Sequence, residues 1–210
     1  MYEKSSVRRR IGGLILAAGL SSRMGDFKPL MPLRGKTLIE NTIDSLLLCG
    51  IHSVTVVLGY RGREVERVLR SRYFGGTVTV VYNRDYAVTD MLASVKIGLT
   101  AMPACDAFFL LPGDMPVVSK ETFLAVARAL PKGGGRIVFP TLEGYRKHPP
   151  LADSLFIPQI LDYDGPEGLR GFWRLHEEAV VTVPVDDMGC RTDLDTFVQY
   201  IRCVQRYQAQ

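Results

Sequence analysis

Ile11-Gly12-Gly13-Leu14-Ile15-Leu16-Ala17, running into Ala18-Gly19, is a nearly unbroken apolar stretch that ends in a small-residue turn. A strand with one wet face alternates polar and apolar residues, whereas a strand covered on both faces reads as a continuous apolar run. The stretch therefore predicts a central parallel strand over 11–17. Ala18 to Pro32, rich in Gly, Ser, Arg and Lys, predicts the long loop that leaves it. Outward from this strand the pattern alternates. Thr37 to Leu48 has helical spacing through Leu38, Ile39, Ile43, Leu46 and Leu47, with Gly50 as its stop. Val54 to Leu58 is the next strand, followed by Gly59-Tyr60-Arg61-Gly62 and a helix from about Arg63 to Leu69. Thr77–Tyr82, Ala107–Leu111 and Ile137–Phe139 read as further strands, and Met91–Leu99 as a helix. Ser119 is placed to cap a helix carrying Phe123, Leu124, Val126, Ala127 and Leu130, which Pro131 to Gly135 ends.

This alternation predicts an α/β fold: a Rossmann-like, three-layer, open and mostly parallel sheet with helices on both faces. It becomes irregular over about 143–176, where short helices near Leu155–Leu161 and Glu167–Leu175 predict an excursion from the sheet. Val180 to Val185 then returns as a strand, and Leu194 to Gln208 closes the chain as a helix. The expected organisation is a basic leader over 1–10, containing Lys4, Arg8, Arg9 and Arg10, and a single domain over 11–210.

Bulk properties narrow the function classes. With 210 residues, 47% hydrophobic and 23% charged, the chain has the makeup of a packed globule. Such a chain buries roughly 70% of its unfolded surface. Cys49, Cys105, Cys190 and Cys203 are scattered and form no CxxC pair, so neither a disulfide scaffold nor a zinc motif is expected. The formal charge of +4 is too modest to predict a nucleic-acid partner, and no stretch is long enough to span a membrane. The N-terminus mixes basic and small apolar residues like a secretory leader, but polar residues follow in place of a cleavage site. A cytoplasmic protein is expected.

Three segments carry chemistry. Leu16-Ala-Ala-Gly-Leu-Ser-Ser-Arg-Met-Gly25, with Lys28 beyond it, combines small residues, backbone N–H groups and two cations, Arg23 and Lys28. That combination suits a triphosphate and the charge developed in phosphoryl transfer. The segment is neither a Walker A loop nor GxGxxG, and an ordinary solvated turn is its alternative. Phe108-Phe-Leu-Leu-Pro-Gly-Asp114-Met-Pro116 puts a carboxylate at the end of an apolar strand, on the ligand side of an open sheet, where it can coordinate Mg²⁺. Its alternative is a simple Asp turn between prolines. In Asp186-Asp-Met-Gly-Cys-Arg-Thr-Asp193-Leu-Asp195-Thr196, Asp193 and Asp195 face one side if extended, and otherwise cap the last helix.

In this order the three segments resemble the motifs of the MobA-like nucleotidyltransferases, particularly the molybdenum cofactor cytidylyltransferase branch, over about residues 11–204. The resemblance implies a nucleotide-diphospho-sugar transferase-like fold that binds CTP, or alternatively GTP or another nucleoside triphosphate, with Mg²⁺. Leu16, Ala17, Ala18 and Gly19 then approach the base and ribose. Arg23, Lys28 and Asp114 serve catalysis, Asn83 and Ser94 lie near the nucleotide, and Asp114 with Asp193 or Asp195 holds the metal. The implied acceptor is molybdopterin, and a molybdoenzyme or its insertion chaperone is the implied recipient partner. Gly144-Tyr-Arg-Lys-His-Pro-Pro150 resembles a family segment, although Arg146 and Lys147 stand between its glycine and His148. Gly165-Pro-Glu-Gly-Leu-Arg-Gly171 resembles another, with Pro166 in place of an acidic residue. These segments make Arg146, Lys147, His148 and Arg170 candidate acceptor ligands. A sugar-phosphate nucleotidyltransferase and a nucleotide-binding delivery protein without transfer chemistry remain alternative readings.

Overall fold

A computed structural model describes residues 9–20, 27–73, 75–191, 194 and 196–208. In chain order, β1 (Ile11–Ala17) precedes a short hairpin, β2 (Pro32–Leu33) and β3 (Lys36–Thr37), and then α1 (Leu38–Leu47). Next come β4 (Val54–Leu58), α2 (Gly62–Arg72), β5 (Val78–Tyr82), α3 (Met91–Ala101), β6 (Ala107–Pro112) and α4 (Lys120–Ala129). β7 (Ile137–Leu142), β8 (Tyr145–Arg146) and β9 (Leu151–Asp153) lead to α5 (Phe156–Asp162), α6 (Gly168–Leu175), β10 (Val180–Pro184) and α7 (Phe197–Gln208).

The main sheet runs β10-β7-β9-β6-β1-β4-β5, with β8 paired to β7. β1 is hydrogen-bonded in parallel on both edges, opposing Gly13 to Val54 on β4 and Ile11 to Ala107 on β6. Both of its faces are covered, as the unbroken apolar run predicts: the neighbouring Leu14 and Ile15 are each fully buried. Ile15 packs with Ile39, Ile43 and Leu46 of α1, Val65 of α2 and Phe123 of α4. Leu14 packs with Val95 and Leu99 of α3, Phe156 of α5 and Phe172 of α6. These are the three layers. On the α3 side a Cβ at residue 98 would lie 2.3 Å from Leu14 Cδ1 and 2.8 Å from Val57 Cγ2, so Gly98 sets how near that helix comes to the sheet.

β9 is antiparallel to both β6 and β7, which makes the mostly parallel sheet mixed. From sequence alone this segment is irregular, because three residues are too few to display a period of two. The two short helices of the 143–176 region form close to where they were expected. Their apolar residues do not stand apart from the sheet: Phe156, Ile160, Leu169 and Phe172 share one core with Leu14 and Val57. All four cysteines are free. Among the described residues no helix is long and apolar enough to cross a membrane.

The starts of α1 and α4, which border the sheet's carboxyl edge, carry side-chain caps. Thr37 and Glu40 form a reciprocal box at α1, with Glu40 Oε2 accepting from Thr37 N at 2.7 Å. Ser119 caps α4, its Oγ accepting from Thr122 N at 3.2 Å. Asp187, far along the chain, reinforces that cap. Its carboxylate accepts from Ser119 N at 2.8 Å, Thr122 Oγ1 at 2.7 Å and Gly189 N at 2.8 Å. Burial pushes the Asp187 carboxyl up, but together the hydrogen bonds from Ser119, Thr122 and Gly189 outweigh it and hold the group below its ordinary 3.8.

Because hydrogen bonds to a charged group each contribute about 1.5–3 kcal/mol, Asp187→Ala should lower stability by at least about 2 kcal/mol at pH 7 in urea unfolding. A folded-state pKa below the unfolded one gives stability that is fully present above the ordinary value of 3.8 and is lost as pH falls through the folded value. The gap between wild type and variant should therefore narrow only below that point. A gap independent of pH would place the effect in packing alone.

Candidate functional site

In open α/β sheets ligands bind outside the carboxyl ends of the strands. At that edge a cleft of about 320 Å³ is floored by Leu16 to Gly19 leaving β1 and by Pro112 to Asp114 leaving β6. Lys28 and Pro29 form one side, and Tyr86, Thr89, Asp90, Met91 and Ser94 form the other.

Lys28 begins a single 3-10 turn, Lys28–Leu30, closed by Met31 N donating to Lys28 O at 3.0 Å. Its Nζ lies 3.3 Å from Asp114 Oδ2, pairing charges 86 residues apart in the chain. The Lys28 and Asp114 side chains are 10% and 27% exposed, so the ammonium is nearly enclosed while the carboxylate faces the cleft. The backbone that presents Asp114 is clamped from two directions. Gly113 N donates to Leu16 O at 2.8 Å, extending the β1–β6 pairing. Gly113 O accepts at 3.2 Å from Thr42 Oγ1, a fully buried hydroxyl on α1 that also reaches Leu38 O at 3.0 Å. Thr42 was missed by sequence reasoning; its signal, a hydroxyl among the apolar positions Leu38, Ile39, Ile43 and Leu46, is shared with Ser45 on the same helix.

Across the cleft, Ser94 lines the wall as expected. Asn83 stands behind it, 2% exposed, and does not line the cleft. Its Nδ2 donates to Thr89 Oγ1 at 2.9 Å and Ser94 Oγ at 3.0 Å, and its Oδ1 accepts from Asp85 N at 3.0 Å. Asn83 thus braces the wall, holding Ser94 in place. Tyr86 contacts Tyr60 at 6.2 Å between ring centroids, and Tyr60 meets Phe27 edge-on at 5.7 Å. Gly59 sets this spacing. A Cβ there would stand 2.4 Å from Ala18 O and 2.8 Å from Tyr86 Cβ. Neither Tyr86 nor Gly59 was singled out from the sequence, because their closeness to the β1 turn arises only when β4 and β5 pair beside β1.

The four residues expected on the acceptor side do not line this cleft. Arg146 is paired with Glu177 through both guanidinium NH groups and lies over the Phe139 ring, 5.6 Å from its centroid. Lys147 N donates to Pro140 O at 2.9 Å, and His148 Nδ1 is 3.4 Å from Leu110 O. Arg170 is exposed on α6. Arg23, Asp193 and Asp195 lie outside the described residues. Among the described residues no group of three or more His, Cys, Asp or Glu side chains gathers as a metal cage. Asp90, the second carboxylate of the cleft, caps α3 by accepting from Ala93 N at 3.1 Å. The floor therefore offers one hard oxygen donor and one enclosed cation, a set suited to a polyanion carrying its own divalent ion.

The sequence profile of the MobA-like NTP transferase domain matches residues 13–181. The chain is 29% identical over 196 residues to the molybdenum cofactor cytidylyltransferase of Escherichia coli K12, covering 92% of this chain and 95% of that protein. It is 30% identical over 203 residues to the nicotine blue oxidoreductase of Paenarthrobacter nicotinovorans, covering 91% and 95%. Among solved structures, a nucleotidyl transferase from Methanothermobacter thermautotroptrophicus superposes with a TM-score of 0.80 at 25% identity, covering 95% of this chain and 98% of that one.

Since added atoms in a packed site cost about 1–3 kcal/mol, Gly59→Ala should destabilise the protein by that amount in urea unfolding, with amide shifts concentrated at Ala18 and Tyr86. An unchanged midpoint would show that the spacing between β1 turn and aromatic wall does not depend on glycine.

Proposed function

The chain belongs to the MobA-like NTP transferase family, whose reaction is nucleotidyl transfer, and from that premise we propose that it transfers CMP from CTP to the terminal phosphate of molybdopterin. The observation that carries this reading is the Lys28–Asp114 pair on the cleft floor between β1 and β6. Support for cytidine comes from the Ala17-Ala18-Gly19 turn, a small-residue opening without the additional glycine that a bulkier base calls for. Support for the acceptor comes from the full-length likeness to the E. coli cytidylyltransferase.

In this reading Leu16 to Gly19 hold the base and ribose, with Ser94 as the polar contact that Asn83 keeps in place. Lys28, with Arg23, donates to oxygens of the triphosphate and offsets charge as the α-phosphorus becomes five-coordinate. An oxygen of the acceptor phosphate attacks that phosphorus. The bond to the bridging oxygen of the β-phosphate breaks, and pyrophosphate leaves with the electron pair. The acceptor is already anionic near neutral pH, so no side chain has to remove a proton first. Bound Mg²⁺ would supply further neutralising charge on the phosphates. Asp114 would hold it, with Asp193 or Asp195, since this ion is usually held by one or two carboxylates plus substrate phosphates. On the acceptor side, Lys147 and Arg170 carry charges that no carboxylate takes up among the described residues, whereas Arg146 is taken by Glu177.

A second reading, redox chemistry in the same cleft, is raised by the 30% identity to the nicotine blue oxidoreductase. Pyrophosphate release separates the two. With Mg²⁺ and molybdopterin, the expected result is release that depends on CTP over GTP; release with a sugar phosphate instead would reassign the acceptor, and no release with any acceptor would sink transfer altogether. Asp114→Asn should still fold, with a lowered thermal midpoint because the enclosed Lys28 loses its opposite charge, while turnover falls by about 100-fold or more; Asp114→Glu, which keeps the charge, should restore the midpoint. Lys28→Ala should lower kcat/KM for the nucleotide by a similar factor, and unchanged values would remove either residue from the mechanism.

A further inference from the structure

We propose that a groove on α7 binds a phosphate-class polyanion at a site separate from the cleft. Arg191, Gln199, Arg202, Cys203, Arg206 and Tyr207 border a space of about 240 Å³ that shares no lining residue with the cleft. Gln199, Arg202 and Arg206 are three and four residues apart on one helix, so their side chains emerge on a common strip. Arg191 joins them from the 3-10 turn Met188–Arg191. Cys203 lies deepest, 5% exposed.

The charges are unbalanced among the described residues. Among the described residues no acidic side chain lines the groove, and α7 contains none. Arg191 is shared with Glu143 at 3.0 Å, in a pair whose side chains are more than half exposed. The Arg206 guanidinium carbon lies 5.6 Å from the Tyr207 ring centroid, which holds that charge at the groove wall. Arg34 pins the same residue, its Nε donating to Tyr207 O at 2.7 Å. Like charges four residues apart on a helix repel, and a concavity lined with one sign of charge focuses its field. The helix dipole accounts for a cation in the last turn of α7, which is Arg206, but not for Arg202 in the middle or Arg191 outside it. Guanidinium forks take two oxygens of one phosphate group, which selects this class over a monovalent ion. Two sources present that chemistry: a free polyanion such as pyrophosphate, and a phosphate ester whose body rests on Tyr207 and the arginine stems.

The test is calorimetric titration of the full chain with inorganic pyrophosphate, performed in a Lys28→Ala background to weaken the cleft's contribution, with dependence on the α7 arginines assigning the remaining binding to the groove. Binding of one equivalent is expected. Adding Arg202→Gln and Arg206→Gln should weaken it by at least about tenfold, the scale of one lost charge-assisted hydrogen bond, with the thermal midpoint retained. Phenyl phosphate, an ester with no nucleoside for the cleft to hold, titrated into the same background separates the sources: binding tighter than pyrophosphate and lost with the two arginine substitutions identifies an ester site, weaker binding a site for the free polyanion. No pyrophosphate binding, or binding indifferent to the two arginine substitutions, overturns the proposal. Neither result depends on whether the cleft transfers nucleotides.

Discussion

The structure depends on the burial of β1 on every side. Its two edges are bonded in parallel to β4 and β6, and its two faces are sealed by α1 and by α3. A strand in that position has no freedom to shift register, since a slip of one residue would exchange Leu14 and Ile15 between layers that are already filled. The point where β1 leaves the sheet is therefore fixed to within a fraction of a residue, and the cleft inherits that precision. Gly98 and Gly59 act on the same constraint from opposite ends: one lets α3 close against the strand, and the other lets the aromatic wall approach the turn that follows it.

On that frame the Lys28–Asp114 pair has a defined role. An ammonium as enclosed as Lys28, 8% exposed, is costly without an opposite charge, and Asp114 supplies it. A nucleoside triphosphate carrying a divalent ion offers both halves a replacement partner: phosphate oxygens for the lysine and the cation for the carboxylate. A ligand bringing only one of the two would compensate one half of the Lys28–Asp114 pair and not the other. The geometry thus suits a metal-bound polyanion better than either component alone. The β1–β6 pairing and Thr42, which does not itself line the cleft, keep Asp114 at the cleft floor.

The other half of the molecule is tied to this frame through polar contacts between distant segments. Asp187 fastens the turn after β10 to the start of α4, the helix that follows the Asp114 turn. Arg146 and Glu177 join the β7–β8 hairpin to the segment between α6 and β10. Arg146, read from the sequence as an acceptor contact, thus also fastens two distant segments of the chain.

The amino-acid sequence by itself determined the fold class, the limits of β1 and β4, the positions of most helices and the two halves of the cleft floor. Those features are local: apolar runs, helical spacing and caps are set by residues within a turn or two of one another. The placement of β9, the bracing role of Asn83, the clamp at Thr42 and the wall formed by Tyr86 were decided only by the tertiary structure. β9 is too short to display a period, and the other three depend on partners brought together by sheet order. Even for Lys28 and Asp114, residue type and neighbouring motif identified the candidates, but the 3.3 Å contact across 86 residues exists only because β6 pairs beside β1. A charge acquires its role from what packing places opposite it, and packing is not a local property of the chain.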